Sequence, residues 1–217
     1  MRQNLRFTVV LLVIVIILGV LSVRERLRTR DIVYAESLDE VVAVVDGQEL
    51  ALRDLAFYVA YEEGQLERDA RLYDHSDTGA FWRIYTNATY LRQEGKDIVM
   101  NMAIHDAVFY RMALEEGLTL SEEEEQFLAN DQYDFWSDLE EEQRTRLGVS
   151  EEELGESMRR LALAEKYQYL LSEMENVEFA AYSFNGTAYE RLLDAHAYTI
   201  VESIWERVPF GSITVDH

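Results

Sequence analysis

The sequence predicts a mainly α-helical fold that opens with a short β-hairpin and is preceded by one transmembrane helix. Three observations lead to this prediction: an uncharged apolar run at residues 7–23, a β-branched segment that ends in Asp46-Gly47, and several long segments with apolar residues at helical spacing. Because the chain has one proline in 217 residues and scattered glycines, no flexible linker interrupts residues 41–208. We therefore expect one folded unit, or two closely packed lobes.

The apolar run at residues 7–23 is the predicted transmembrane segment. As a helix it would measure about 25 Å, near the lower limit for crossing a hydrocarbon core. The alternative is a cleaved secretory signal with its cleavage site at residues 33–35, but those residues lie far beyond the apolar run, across a charged stretch. We favour an uncleaved signal anchor. The expected organisation is a short tail at 1–6, the anchor at 7–23, a basic collar and linker at 24–40, a helical domain at 41–208 and a tail at 209–217.

Charge is divided sharply along the chain. Residues 1–30 hold six arginines and one glutamate, so the net charge of −22 for the whole chain leaves −27 for residues 31–217. Such a domain repels the phosphates of nucleic acids and anionic lipids and attracts basic or unfolded polypeptides. The absence of cysteine excludes disulfides, thiolate zinc sites, a cysteine nucleophile and a lipid-modified cysteine anchor.

The first elements of the domain follow from turn chemistry and periodicity. Residues 41–45 predict a strand, Asp46-Gly47 a two-residue hairpin turn, and residues 48–52 the returning strand. The segment from residue 52 to 73 has the apolar spacing of a helix. A polar break at 74–80 and a second short helix at 81–91 should follow.

Capping signals place the later helices. Residues 96–116 form an amphipathic segment that Gly117 should close as a C-cap. Ser121 with Glu124, and Ser150 with Glu153, have the spacing of capping boxes and predict two further helix starts. A turn at Asn185-Gly186 should lead to a last helix at residues 188–208.

Three of these segments, taken in order, carry a resemblance. They are VVAVVDGQEL at 41–50, AIHDAVFYRMALEEGLTLSEEEEQFL at 103–128 and LGVSEEELGESMRRLALAEKY at 147–167. In this order they resemble the N-terminal chaperone domain of exported foldases of the SurA and PrsA type, over roughly residues 41–175. The resemblance implies a SurA N-terminal-like helical chaperone domain in which the last helix, at 188–208, completes the lobe.

In that family a parvulin-type prolyl isomerase module normally follows the helical domain. Only about 40 residues follow residue 175, too few for such a module, so we expect no isomerase activity. The implied function is a membrane-anchored, extracytoplasmic chaperone-like domain that binds exported or membrane polypeptides. The alternative is a structural adaptor subunit bound permanently to one partner in an envelope or secretion complex.

Orientation is a point of conflict. Arg24, Arg26, Arg28 and Arg30 follow the apolar run, and by the positive-inside rule they would hold the domain in the cytoplasm. We nevertheless expect a single-pass protein of the cell membrane with the domain outside, because the N-terminal tail is short and the resembled proteins are exported.

No catalytic or metal-binding pattern stands out. The acidic runs at 122–125, 140–142 and 151–153 are read as solvated helix ends rather than a cation site, since two of them follow a capping serine. His105 lies on an apolar stripe and is read as a core histidine, and residues 74–77 as a capping turn rather than a Ca²⁺ loop. We therefore expect that the protein binds no cofactor and no metal and has no enzymatic activity.

Aromatic content is the feature most closely tied to function. The chain has thirteen Tyr, nine Phe and three Trp, and several of them lie in segments of weak helical periodicity. Such side chains offer large apolar contacts at low entropy cost and suit polypeptide binding, although they can equally fill a core. The candidate polypeptide-binding residues are Phe81, Trp82, Tyr85, Tyr133, Phe135, Trp136 and Tyr169.

Overall fold

The computed structural model describes residues 30–86 and 88–216, and the fold of this part is mainly helical, with two small sheets. Its elements, in chain order, are β1 (Val41–Val45), β2 (Gln48–Ala51), α1 (Leu52–Tyr73), α2 (Thr78–Trp82), β3 (Tyr85–Thr86), β4 (Thr89–Tyr90), α3 (Leu91–Glu115), α4 (Glu122–Asp138), α5 (Glu141–Leu147), α6 (Glu151–Glu175), α7 (Thr187–Leu193), β5 (Tyr198–Ile200) and α8 (Glu202–Trp205). Single 3-10 turns occur at Tyr34–Glu36 and Phe179–Tyr182.

The predicted hairpin is confirmed. β1 and β2 pair antiparallel with Val45 opposite Gln48. Asp46 and Gly47 take φ values of 50° and 85°, and left-handed backbone at both central residues is what a tight two-residue hairpin turn requires. The hairpin becomes a sheet of three strands in the order β2-β1-β5.

The predicted helix at residues 188–208 is wrong, because this stretch forms α7, β5 and α8 instead. Asp46 explains the break. Its backbone N–H donates to the carbonyl of Ala197 (2.7 Å), and its carboxylate accepts from the N–H of Ala197 (2.9 Å) and lies 2.8 Å from Nδ1 of His196. These bonds hold the chain alongside β1. There β5 pairs with the edge of β1, whose N–H and C=O groups would have had no strand partner if this stretch were a helix.

The predicted helix at residues 81–91 is also wrong. α2 ends at Trp82, and β3 and β4 form a second small hairpin in which Tyr85 lies opposite Tyr90. The β-branched and aromatic residues of these short strands favour extended backbone. α3 then begins at Leu91 rather than at residue 96.

The predicted helix ends are confirmed. Gly117 has a φ of 67° and follows the last turn of α3. Both capping boxes form, with the Ser121 hydroxyl accepting from the N–H of Glu124 and the Ser150 hydroxyl accepting from the N–H of Glu153. The long helices α1, α3 and α6 pack on one another and enclose the main core together with the three-stranded sheet.

Both ends of the described chain belong to this folded unit, which differs from the expected linker at 24–40 and tail at 209–217. Tyr34 is buried, and its hydroxyl donates to the carbonyl of Leu52 (2.6 Å). Phe210 and Ile213 are also buried in the main core. The sequence pattern did not predict that these two segments are buried, because short apolar stretches without periodicity are interpreted as loops.

Within residues 30–86 and 88–216, no helix is long and apolar enough to span a bilayer. The four long helices α1, α3, α4 and α6 all carry several charged side chains. For the described residues this finding contradicts the expectation of a single-pass membrane protein, and that localisation is withdrawn. The expected tail at 1–6 and span at 7–23 lie outside the described residues.

Candidate functional site

The structure distributes the seven predicted aromatic residues over several surfaces. Trp82 is buried in the core, where its indole N–H donates to the Glu67 carboxylate (3.0 Å) and its ring lies edge-on to that of Phe210. Phe81 is half-buried beside the ring of Tyr73, at a centroid distance of 5.8 Å. These contacts assign Trp82 to packing.

Four of the remaining residues lie elsewhere. Tyr85 is exposed on the second hairpin, and Tyr133 is exposed on α4. Phe135 is half-buried with its ring 5.0 Å from that of Phe57, and Trp136 is half-buried under the Arg144 guanidinium, 4.9 Å from its ring centre. The aromatic set therefore does not form one continuous cradle, and its role in binding stays a prediction.

Tyr169 lies in an open groove between α4 and α6. The groove has a volume of about 430 Å³. Its apolar lining consists of Leu120, Phe127, Leu128, Ala162, Tyr169 and Phe179. Its charged lining consists of Glu124, Asp131, Glu165 and Lys166.

The groove combines a packed floor with exposed aromatic walls. Leu128 is buried at its base, whereas Phe127 is 61% exposed and Tyr169 is 55% exposed. Phe179, in the 3-10 turn after α6, is 43% exposed at one end. Large apolar side chains gathered around one concavity are unusual on a protein surface, and this makes the groove a candidate contact site.

Ion pairs and hydrogen bonds fix the spacing of the two walls. Arg159 of α6 donates through both guanidinium ends to the Glu125 carboxylate of α4, at 2.6 and 2.5 Å. Gln132 donates to the carbonyl of Gly155 (2.7 Å). The residue numbers fall along α4 as they rise along α6, so the two helices run antiparallel and the groove follows their axes.

The charges of the groove are unevenly matched. Lys166 donates to the Glu124 carboxylate (2.6 Å) and to the carbonyl of Thr119 (3.0 Å). The hydrogen bond from Lys166, helped by those from Ser121, lowers the pKa of Glu124 to about 2. This pair is therefore neutral as a unit.

Asp131 and Glu165 differ from that pair. Within the described part of the chain, neither carboxylate forms a salt bridge with a cation. Desolvation raises the pKa of Glu165, the nearby carboxylates of Asp106 and Asp131 raise it further, and the interaction with His105 opposes them. The groove thus presents two unpaired acidic groups beside an apolar floor.

Sequence reasoning missed Phe127 and Phe179. Phe127 lies two positions after four consecutive glutamates in an acid-rich helix, and no periodic apolar stripe marks its position. An isolated aromatic residue on such a helix was the available signal. Among the described residues no group of three or more His, Asp or Glu is arranged to hold a metal ion.

Comparison with protein-family models, with curated proteins and with solved structures found no match for the chain.

Proposed function

We propose that this domain binds segments of other polypeptides, as a chaperone-like module without a catalytic step. The observation that carries the proposal is the α4/α6 groove, with its exposed aromatic walls and its unpaired carboxylates. Shallow apolar contacts of this kind suit transient holding, and the strong negative charge keeps the loaded domain soluble.

The order of elements supports a relationship with the SurA and PrsA chaperone domain. A hairpin leads directly into α1, long helices follow, and the end of the described chain returns to the hairpin through β5. The return is made by a strand rather than by the expected helix, which is a departure from the resemblance.

The second candidate function is a permanent adaptor that holds one partner. The observation that favours it is the rigid spacing of α4 and α6, because a preformed site suits a single partner well. The two functions differ in promiscuity: a holding chaperone protects many unfolded proteins, whereas an adaptor is isolated with one partner at fixed stoichiometry.

The test is light scattering during the aggregation of three unrelated, chemically unfolded proteins. We expect the domain to suppress aggregation of all three, and the F127A/Y169A variant to lose most of that effect. The matched control is Y85A/Y133A, which removes two exposed aromatic residues outside the groove.

Equal suppression by both variants would place binding elsewhere. No suppression by the wild-type domain, together with recovery of one stoichiometric partner, would favour the adaptor. Turnover of a prolyl peptide by the pure domain would contradict a role without catalysis.

A further inference from the structure

We infer that the occupant of the α4/α6 groove is an amphipathic α-helix whose apolar stripe is flanked by Lys or Arg. This inference rests on the proposed function, and it names the conformation and the charge of the bound segment. Three features of the groove carry it: the shape of its walls, the state of its backbone and its unpaired charges.

The walls have the shape of two sides of a three-helix arrangement. On α4 the lining residues Glu124, Phe127 and Asp131 are spaced at three and four, and on α6 Ala162, Glu165 and Tyr169 follow the same spacing. Residues at such spacing share one helix face. Two antiparallel helices that each turn such a face toward one trough leave a position for a third helix along their axes.

The backbone of the groove disfavours an extended occupant. α4 and α6 are regular helices over the stretches that line it, so their N–H and C=O groups are already bonded within each helix. A strand lying in the trough would find no backbone partner on either wall. A helix satisfies its own backbone groups, and it therefore enters an apolar trough at much lower cost.

The charges select the flanks of that helix. Asp131 lies on one wall and Glu165 on the other, and within the described residues neither forms a salt bridge with a cation. Lys and Arg can lay their methylene stems along the aromatic walls while their heads reach these carboxylates. A helix with acidic flanks would meet like charge on both sides and in the field of the whole domain.

The length of the trough sets the size of the helix. The lining on α4 runs from Glu124 to Asp131, about two turns or 10 Å, and Leu120 and Phe179 extend it at one end. A helix of about three turns covers this distance. The probes are therefore three fluorescein-labelled 15-residue peptides of designed sequence.

The first peptide has a Leu and Phe stripe with Lys flanks, the second has the same stripe with Glu flanks, and the third has the first composition with two central prolines that prevent a helix. Binding is measured by fluorescence anisotropy with the whole chain. We expect the first peptide to bind at least tenfold more tightly than either of the others.

Variants locate the site. D131N/E165Q should weaken binding of the Lys-flanked peptide at least fivefold and reduce its preference over the Glu-flanked peptide. The control is E151Q/E152Q, which removes two exposed carboxylates from the start of the same helix, outside the groove, and should leave the affinity unchanged.

Four results would overturn the inference. Equal binding of the proline peptide would make the occupant extended, and equal binding of the Glu-flanked peptide would remove the charge preference. Self-association of the chain that D131N/E165Q abolishes would assign the groove to a second copy. If all three peptides fail to bind while aggregation is still suppressed through Phe127 and Tyr169, the helical occupant is wrong and the proposed function stands.

Discussion

Two apolar clefts within residues 30–86 and 88–216 can be compared: the chain itself fills one of them and leaves the α4/α6 groove open. In the filled cleft, residues 209–216 lie against α1, and the buried Glu63 carboxylate accepts the N–H groups of Gly211 (2.5 Å), Ile213 (3.2 Å) and Thr214 (2.5 Å). It also accepts the hydroxyl of Thr214 at 2.7 Å. The groove between α4 and α6 has no buried carboxylate of this kind, because its unpaired acids, Asp131 and Glu165, are exposed.

This difference in hydrogen-bond acceptors determines which kind of segment each cleft can hold. An irregular or extended segment has unsatisfied N–H groups, and burial requires an acceptor placed among the apolar side chains. Glu63 is that acceptor in the filled cleft. The open groove has only the exposed carboxylates of Asp131 and Glu165, so it suits a segment that brings its own backbone partners.

The largest expected effect comes from Trp82, which packs in the filled cleft against Phe210. We expect Trp82→Ala to lower the free energy of unfolding by about 3–5 kcal/mol, because it leaves a cavity and removes the partner of the Glu67 carboxylate. Urea unfolding followed by circular dichroism measures this. Tyr169→Ala in the open groove is the comparison and should cost less than about 0.5 kcal/mol; equal losses would show that the groove is core.

The second effect concerns Glu63, which accepts backbone N–H groups in the filled cleft. Glu63→Gln replaces an acceptor oxygen with an NH₂ group that faces N–H donors, and we expect a loss of about 2–3 kcal/mol in urea unfolding. Glu62→Gln is the matched control. Glu62 is also buried and burial raises its pKa, so removing its charge should change stability by less than about 0.5 kcal/mol or increase it. If Glu63→Gln left the free energy of unfolding unchanged, the filled cleft would need no acceptor.

A smaller effect tests how tightly the segment is packed. A Cβ added to Gly95 of α3 would clash with the Leu66 side chain and lie 2.8 Å from the Phe210 ring, so Gly95→Ala should cost about 1 kcal/mol despite its better helix propensity. At Gly64 of α1 the added Cβ would meet only Arg68, at an ordinary 3.5 Å. Gly64→Ala should therefore stabilise by about 0.5–1 kcal/mol, and the two thermal midpoints should move in opposite directions.

The smallest effect belongs to the open groove. The pKa of Glu124 is lowered to about 2, so its contribution to stability is complete above about pH 5 and is lost as the pH falls toward 2. Solvent screening keeps this contribution within about 0.5–1 kcal/mol. Glu124→Gln should flatten the acid limb of the stability profile between pH 5 and pH 3, measured by urea midpoints. An unchanged slope would mean that the Glu124–Lys166 pair does not brace the wall.

The sequence predicted elements whose signals are local. The Asp46-Gly47 turn, the Gly117 cap and the two capping serines depend on neighbouring residues, and all of them formed. The break of the last helix depends on Asp46 reaching Ala197, and no local pattern records a contact between positions 151 apart. The buried place of residues 209–216 depends in the same way on Glu63.

The candidate site shows the same division. Tyr169 was predicted, because an aromatic residue in a segment of weak periodicity is visible in the sequence. Its neighbours Phe127 and Phe179 come from a different helix and a following turn, and only the tertiary arrangement places them around one groove. Trp82 carries the same kind of signal as Tyr169 yet is buried, since burial is decided by distant partners.

The pairing of β1 with β5 has a consequence for synthesis on the ribosome. Ala43 lies opposite Ile200, so one edge of the first hairpin has no strand beside it until nearly the whole chain described here has emerged. During that interval the nascent hairpin displays bare N–H and C=O groups next to apolar side chains. We expect the newborn chain to be vulnerable to strand-mediated aggregation over this period, and the docking of β5 to end it.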